Sequence, residues 1–282
     1  MYIAIDIGAT NTRVISFKEL TIESEVKSLR FETNKDFEMG YKNIVDAIKD
    51  ASEGKGITAI EISHVGAISS DKTRMTSSAN LPSYVNKPLV DQLSEEFHTK
   101  VALENDSICA GLSEFAFGEY NGTDKMAYMT ISTGMGAVII KQVGESYQVL
   151  MADVGHITVL GDERVCTCGK IDCIEAYASG NSLGTRFGGD AAKIDDLLIW
   201  EKAVEYLAIS SANLITMFHP NVLIFGGGII ENNEYVRQKI QNEINSQVRG
   251  VKIPPIEISQ FGDKVGVYGA LALLKLNPSS LL

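Results

Sequence analysis

Hydrophobic and polar positions alternate in the opening YIAIDIG and again in TRVISF, a period of two that predicts two strands joined by a glycine turn. A third strand is predicted over SEVKSLRF. Tyr41, Ile44, Val45 and Ile48 then recur at helical spacing, so 37–51 reads as an amphipathic helix. A buried-type strand, ITAIEIS, precedes the polar loop SSDKTRMTSSANLPSY, a helix near 88–98, the strand VALEND and a helix from Asp106 through SICAGLSEFAFG. The second half restarts in the same style, with the strand MAYMTIS, the turn TGMG and the returning strand AVIIKQV. Helices near 194–218 and 232–248 flank the strand NVLIFGGG, and a last helix is predicted over 267–276. The strand–turn–strand unit recurs after about 125 residues, which indicates two related lobes; solenoid repeats run nearer 20–50. The class is mixed α/β, with a β-meander opening each lobe.

Composition limits what such a fold can do. The 282 residues are 45% hydrophobic and 22% charged, enough for a substantial core. Acidic residues outnumber basic ones 36 to 25, a net charge of −11 that argues against nucleic-acid binding by counterion release. Backbone amides can still hold nucleotide phosphates. The opening MYIAIDIGAT has no signal-peptide pattern, and the longest apolar run, VLIFGGGII, falls well short of the roughly 20 residues that span a bilayer. A cytoplasmic protein without a membrane partner is expected.

Two of the turns, DIGATNT and STGMG, place glycine where a strand must reverse and let amides face a ligand. Gly8, Thr10, Asn11 and Thr12 in the first, and Ser132, Thr133, Gly134 and Gly136 in the second, would offer donors to phosphate oxygens. Asp6, at a strand end, is placed to hold Mg²⁺ through its water shell. Plain hairpin turns use the same residue types. No P-loop is present, and no G-x-G-x-x-G follows a strand, so a Rossmann site is unsupported. The third glycine stretch, Gly226-Gly227-Gly228, joins an apolar strand to a helix. Backbone without side chains there would let a flat ring such as adenine approach; a flexible loop is the plainer explanation.

The stretch VCTCGKIDC holds Cys166, Cys168 and Cys173, three of the four cysteines, and His156 lies upstream. A disulfide would strand one thiol, and a C-x-C bridge is cramped. The set matches the Cys₃His count of a closed structural zinc site, with a buried thiol trio without metal as the alternative. Cys109, in SICAG, reads as an inert core thiol. Asp106 sits where a strand meets a helix, and reads either as a helix cap or as a carboxylate facing a ligand.

Taken in order, DIGATNTR, SSANLP, LENDSICAGLSE, STGMGAVI, DVGH, CTCGKIDCIEAYASG and LIFGGGI resemble the motifs of the ROK family (repressor, open reading frame, kinase) across essentially the whole chain. The most specific match is to the family's C-x-C-G-x-x-G-C-x-E signature, through Cys166, Cys168, Gly169, Cys173 and Glu175. Asp172 stands where that signature has glycine. The resemblance implies the two-lobed actin-like/hexokinase-like ATPase fold, with duplicated ribonuclease H-like lobes and a cleft between them. The N-terminal lobe is expected over 1–117 plus about 266–282, and the C-terminal lobe, with the zinc loop, over 118–265.

The same resemblance implies an ATP- and Mg²⁺-dependent sugar kinase of the glucokinase kind, with Asp106 as general base. It places Asn80, Asn105, Asp106, Asp153, His156 and Glu175 at sugar hydroxyls, which such groups bind because each hydroxyl both donates and accepts. Asp6 and the two glycine turns then serve the phosphates, and Gly226, Gly227 and Gly228 the adenine. A structural Zn²⁺ on His156, Cys166, Cys168 and Cys173 would orient His156 and Glu175, with no coordination position open for water. Two departures touch the sugar side: the family's E-x-G-H is Asp153-Val154-Gly155-His156, and its proline-glycine turn reads HVGAISSD. Phosphorylation of a hexose 6-hydroxyl is expected, glucose first and N-acetylmannosamine or N-acetylglucosamine next. The same pocket could instead serve a non-catalytic sugar sensor, or a kinase that uses polyphosphate or ADP as donor. The family's repressors carry an added helix-turn-helix domain, for which a first turn beginning at residue 6 leaves no room. Many members are dimers, and the sequence leaves a homodimer open.

Overall fold

The computed structural model of the chain describes residues 1–282 apart from 79, 145, 277–279 and 282. The alternating segments at the start become a meander: β1 (Tyr2–Ile7), β2 (Asn11–Phe17) and β3 (Glu25–Glu32) pair antiparallel, with Asp6 opposite Arg13. Helix α1 (Phe37–Ser52) follows. Asp36 caps it by accepting from the Met39 N–H, one of the donors that a helix start leaves without an internal partner. β4 (Ala59–His64) lies parallel to β1. After the short hairpin β5 (Ala67–Ile68) and β6 (Met75–Ser77) and helix α2 (Leu89–Phe97), β7 (Lys100–Asn105) adds in parallel to β4. α3 (Asp106–Phe117) starts directly at its end.

The second unit repeats this plan. β8 (Lys125–Ile131), β9 (Met135–Val143) and β10 (Ser146–Ala152) form its meander. Helices α4 (Glu175–Ala178), α5 (Gly180–Phe187) and α6 (Leu197–Phe218) lead to β11 (Val222–Gly226), which lies parallel to β8. Then come α7 (Gly228–Asn232), α8 (Glu234–Gln247) and β12 (Ile256–Ile258), parallel to β11. The chain returns to the first unit at Asp263 and forms α9 (Val265–Leu276) there. With strands counted within their own sheet, the five of the first run third, second, first, fourth, fifth, and β10, β9, β8, β11 and β12 of the second follow the same order with the same directions, a sixth strand adding outside β10. The recurrence in the sequence is a duplicated topology.

Each unit has its own apolar core, one built around Ile3, Ile5, Ile48 and Ile62, the other around Met129, Leu207, Leu223 and Phe225. On the other face of the first sheet, α9 packs on α3 so closely that a Cβ at Gly269 would overlap the Cys109 carbonyl. The sequence pattern misses β10, where the adjacent exposed side chains of Leu150 and Met151 blur the alternation. It also places all of 266–282 in the first lobe, whereas β13 (Ser280–Leu281) pairs with β10, whose edge offers unpaired backbone groups. No helix among the described residues is long and apolar enough to cross a membrane.

Candidate functional site

At the end of β7, two neighbouring residues divide two tasks. Asn105 is the cap of α3: its Oδ1 accepts from the Ser107 and Ile108 N–H groups (2.9 and 3.3 Å), and its Nδ2 donates to the Gly66 carbonyl at 2.9 Å. Asp106 is therefore the first helical residue and not the cap; its carboxylate accepts from the Ser107 N–H at 2.9 Å. The amide of Asn105, expected beside the sugar, is committed to the helix start and to Gly66, because capping uses its oxygen.

Asp6 ends β1 beside Ser63 of β4, whose Oγ donates to Oδ1 at 2.7 Å, and its carboxylate lies against Gly266 in the first turn of α9. Burial pushes Asp6 up to about 6, against the pull of Ser63 and Arg13. Burial first, and the nearby Asp6 charge second, push Asp106 up to about 7. A carboxylate poised near neutrality is suited to accept a hydroxyl proton.

The first glycine turn closes through the Gly8 N–H, which donates to the Asn11 carbonyl at 3.0 Å, and leaves Thr10 exposed. Thr12 does not face it. Alternation along β2 turns this residue inward, where it is 1% exposed and its hydroxyl bonds Thr33 Oγ1 at 2.9 Å. Asn80 is exposed at the other side of the turn: Lys35 Nζ donates to the carbonyls of both Ala9 and Asn80.

In the second unit, the donor atoms of His156, Cys166, Cys168 and Cys173 all lie within 4.8 Å of one another. His156 Nδ1 is 3.7 Å from Cys166 Sγ, and Cys168 Sγ is 3.6 Å from Cys173 Sγ, with every cysteine free. A tetrahedron with Zn–S bonds of about 2.3 Å has edges of about 3.8 Å, so these residues fit a closed zinc site. Asp172 lies in the left-handed region at φ +59°, which accounts for the glycine in the signature it departs from. Its carboxylate anchors the ligand loop, accepting from the Arg164 N–H at 2.9 Å and from the Tyr177 hydroxyl. Tyr177 in turn accepts from the Asp162 N–H at 2.7 Å and stacks on Tyr206. Glu175 opens α4 and links this loop to the second glycine turn, accepting from the Met135 N–H at 3.0 Å and the Thr167 hydroxyl at 3.4 Å. Asp153 is exposed and makes no cap to the turn that carries His156.

The second glycine turn is held from behind. The Ser132 N–H donates to the Gly134 carbonyl (3.0 Å), while the Gly180 and Asn181 N–H groups of α5 donate to the Ser132 and Thr133 carbonyls (2.8 and 3.0 Å). Gly136 lies within β9 opposite Thr130 and is a ladder residue, not part of the turn. Ser132 and Thr133 line a cavity of about 450 Å³ together with Asn181, Trp200, Gly228 and Asn232. Gly226 ends β11, and Gly227, at φ +96°, passes so near Ile131 that a Cβ would stand 2.6 Å from its carbonyl oxygen. Of the three glycines, Gly228 is the one that reaches the cavity. The sequence pattern does not reveal Asn181, Trp200 and Asn232 as site residues. The usable signal was Trp200, the chain's single tryptophan, buried and donating to the Ile194 carbonyl at 2.8 Å.

The sequence profile of the ROK family matches residues 2–277. The chain is similar to a glucokinase of Thermotoga maritima, at 26% identity over 308 residues, covering 97% of this chain and 96% of that protein. It is similar to an N-acetyl-D-glucosamine kinase of Haemophilus influenzae, at 29% identity over 303 residues, covering 97% and 99%. In fold it is similar to a ROK family glucokinase from Streptomyces griseus solved in complex with glucose and AMPPNP, with a TM-score of 0.78, 24% identity, and 96% and 98% of the two chains covered.

Proposed function

The chain belongs to the ROK family, and from that membership we propose that it is a sugar kinase transferring the γ-phosphoryl group of ATP to a hexose hydroxyl, the 6-hydroxyl, with glucose as first substrate. The observation that carries this reading is Asp106, uncommitted to capping and pushed up to about 7. Phosphoryl transfer asks little of a protein beyond positioning, charge neutralisation and a base for the acceptor proton. Asp106 takes that proton onto its carboxylate as the hydroxyl oxygen bonds to phosphorus and the bond to the ADP oxygen breaks. Asp6 would hold Mg²⁺, which would neutralise phosphate charge. Thr10 and Asn11 of the first glycine turn, and Thr133 with the Gly134 turn, serve phosphates, while the Gly8 N–H stays with the Asn11 carbonyl. The adenine occupies the cavity floored by Gly228 and walled by Trp200.

Asn80, Asp153, His156 and Glu175 hold the sugar. His156 faces Cys166 through Nδ1, which leaves Nε2 for a hydroxyl, and Glu175 retains part of a carboxylate's four acceptor positions. The Cys₃His set holds a structural zinc, which supplies orientation for these two residues and no open site for water. N-acetylated hexosamines are the second reading, because a relative of equal coverage bears that activity in its name. An ADP-release assay with ATP and Mg²⁺ across glucose, mannose, N-acetylglucosamine, N-acetylmannosamine, fructose and a β-glucoside tests both, with Asp106→Ala as blank. Turnover on one sugar, absent in the blank, is the expected result. Silence on all six by folded, zinc-loaded protein would remove the kinase reading for these sugars.

A further inference from the structure

β7 is an edge strand of the first sheet, and part of its outer edge is covered by the polar loop that follows β5. The Leu103 N–H donates to the Lys72 carbonyl at 3.1 Å. Lys72 sits in the left-handed region at φ +59°, a conformation that a lysine keeps when its surroundings over-determine it. Its Nζ lies 2.7 Å from Glu104 Oε2, and the Glu104 side chain is 3% exposed. The other oxygen, Oε1, accepts from the Asn105 N–H at 2.8 Å. Asn105 in turn reaches the base of the same loop through the Gly66 carbonyl. Glu61, on the adjoining strand β4, is pushed up to about 8 by burial and by the Glu104 charge. Among the described residues, Lys72 is the one ion-pair partner of Glu104.

We propose that Lys72 and Glu104 are a positioning pair that docks the loop 66–78 onto the β7–α3 junction, so that the sugar hydroxyl carried past this loop meets Asp106. This rests on the kinase reading of Asp106. The pair touches no reacting atom; it holds the Glu104–Asn105 peptide, one residue before Asp106, and the loop that carries Lys72. A displacement of about 1 Å at a reacting centre lowers a rate about 10²-fold, so the pair acts on turnover.

Lys72→Met alone leaves a buried carboxylate without its cation and risks unfolding. The test is therefore the double variant Lys72→Met/Glu104→Gln, which removes both charges and keeps an acceptor for the Asn105 N–H, with Lys72→Arg as the conservative control. Hydrogen exchange of the segment 66–77 is measured together with kcat, the KM for ATP and sugar affinity by calorimetry. In the double variant, exchange of that segment rises about tenfold while α1 is unchanged. Its kcat falls about tenfold or more at an unaltered KM for ATP, and Lys72→Arg keeps both near wild type. Wild-type exchange in the double variant overturns the proposal, and so does a released loop with undiminished turnover. If the wild type turns over no sugar, the kinase reading falls, and the exchange measurement alone decides whether the pair docks the loop.

Discussion

The turn between β1 and β2 and the turn between β8 and β9 occupy the same place in two copies of one topology, yet their surroundings differ in kind. The first closes on itself through Gly8 and Asn11 and lies in the unit that carries two half-buried carboxylates, Asp6 and Asp106, both shifted towards neutrality. The second is braced by the amides of Gly180 and Asn181 and by Glu175, and opens on a 450 Å³ cavity. Duplication supplied one hairpin twice, and what packs behind each copy set its chemistry. The first unit holds groups that change protonation state. The second holds polar walls that need not change at all, as the proposed nucleotide site asks.

The sharpest way to break this contrast is to neutralise Asp106, the proposed base. Asp106→Asn should lower kcat by about 10²–10⁴-fold, with sugar affinity by calorimetry little changed. The same substitution should raise thermal stability at alkaline pH. A carboxyl with a folded pKa near 7 binds its proton more tightly in the native state. Its contribution to stability is therefore full below the unfolded value and lost as pH rises through about 7. Asp6→Asn should share that signature, because the wild-type carboxyl's contribution is lost as pH rises from the unfolded value through about 6. Thermal melts at acid and alkaline pH check both.

Next in size is the metal. Cys173→Ser removes a fully buried ligand and should cost the chain its zinc, read by elemental analysis, and lower the melting temperature of the second unit's core around Cys166 and Ile174. A stoichiometric zinc content in that variant would remove the Cys₃His assignment. A smaller effect is expected of Asp172→Gly. Glycine suits the left-handed backbone, but the loop loses its acceptor for the Tyr177 hydroxyl and the Arg164 N–H. The net should be a small loss of stability, measured by denaturant titration. The smallest effect separates the two turns directly. Thr12→Val should leave the KM for ATP within about twofold of wild type, because its hydroxyl is spent on Thr33, whereas Thr133→Val should raise it.

The duplicated sheets were legible in the alternation of YIAIDIG and MAYMTIS, and the ligand cluster in the spacing of its cysteines, because both are periodic or local signals. The failures have the opposite character. Thr12 reads as a phosphate donor in DIGATNT, but which face of β2 it takes is decided by Thr33, 21 residues away. Asn105 and Asp106 are adjacent and similar in shape, and only the start of α3 tells which of them is the cap. Trp200 and Asn232 come to one cavity from α6 and α7, a meeting no local pattern contains. The role of Asp172 was half visible. Its departure from glycine could be read in the sequence, but the hydroxyl of Tyr177 that offsets it could not.

The pH dependence of kcat/KM on the best sugar, at saturating ATP and Mg²⁺, tests the central assignment most directly. With Asp106 as the base in the free enzyme, the profile should fall tenfold per unit of pH below about 7 and level off above it. A rate that stays flat from about pH 5 to about pH 8, with the protein folded throughout, would contradict the assignment of Asp106 as the group that takes the proton.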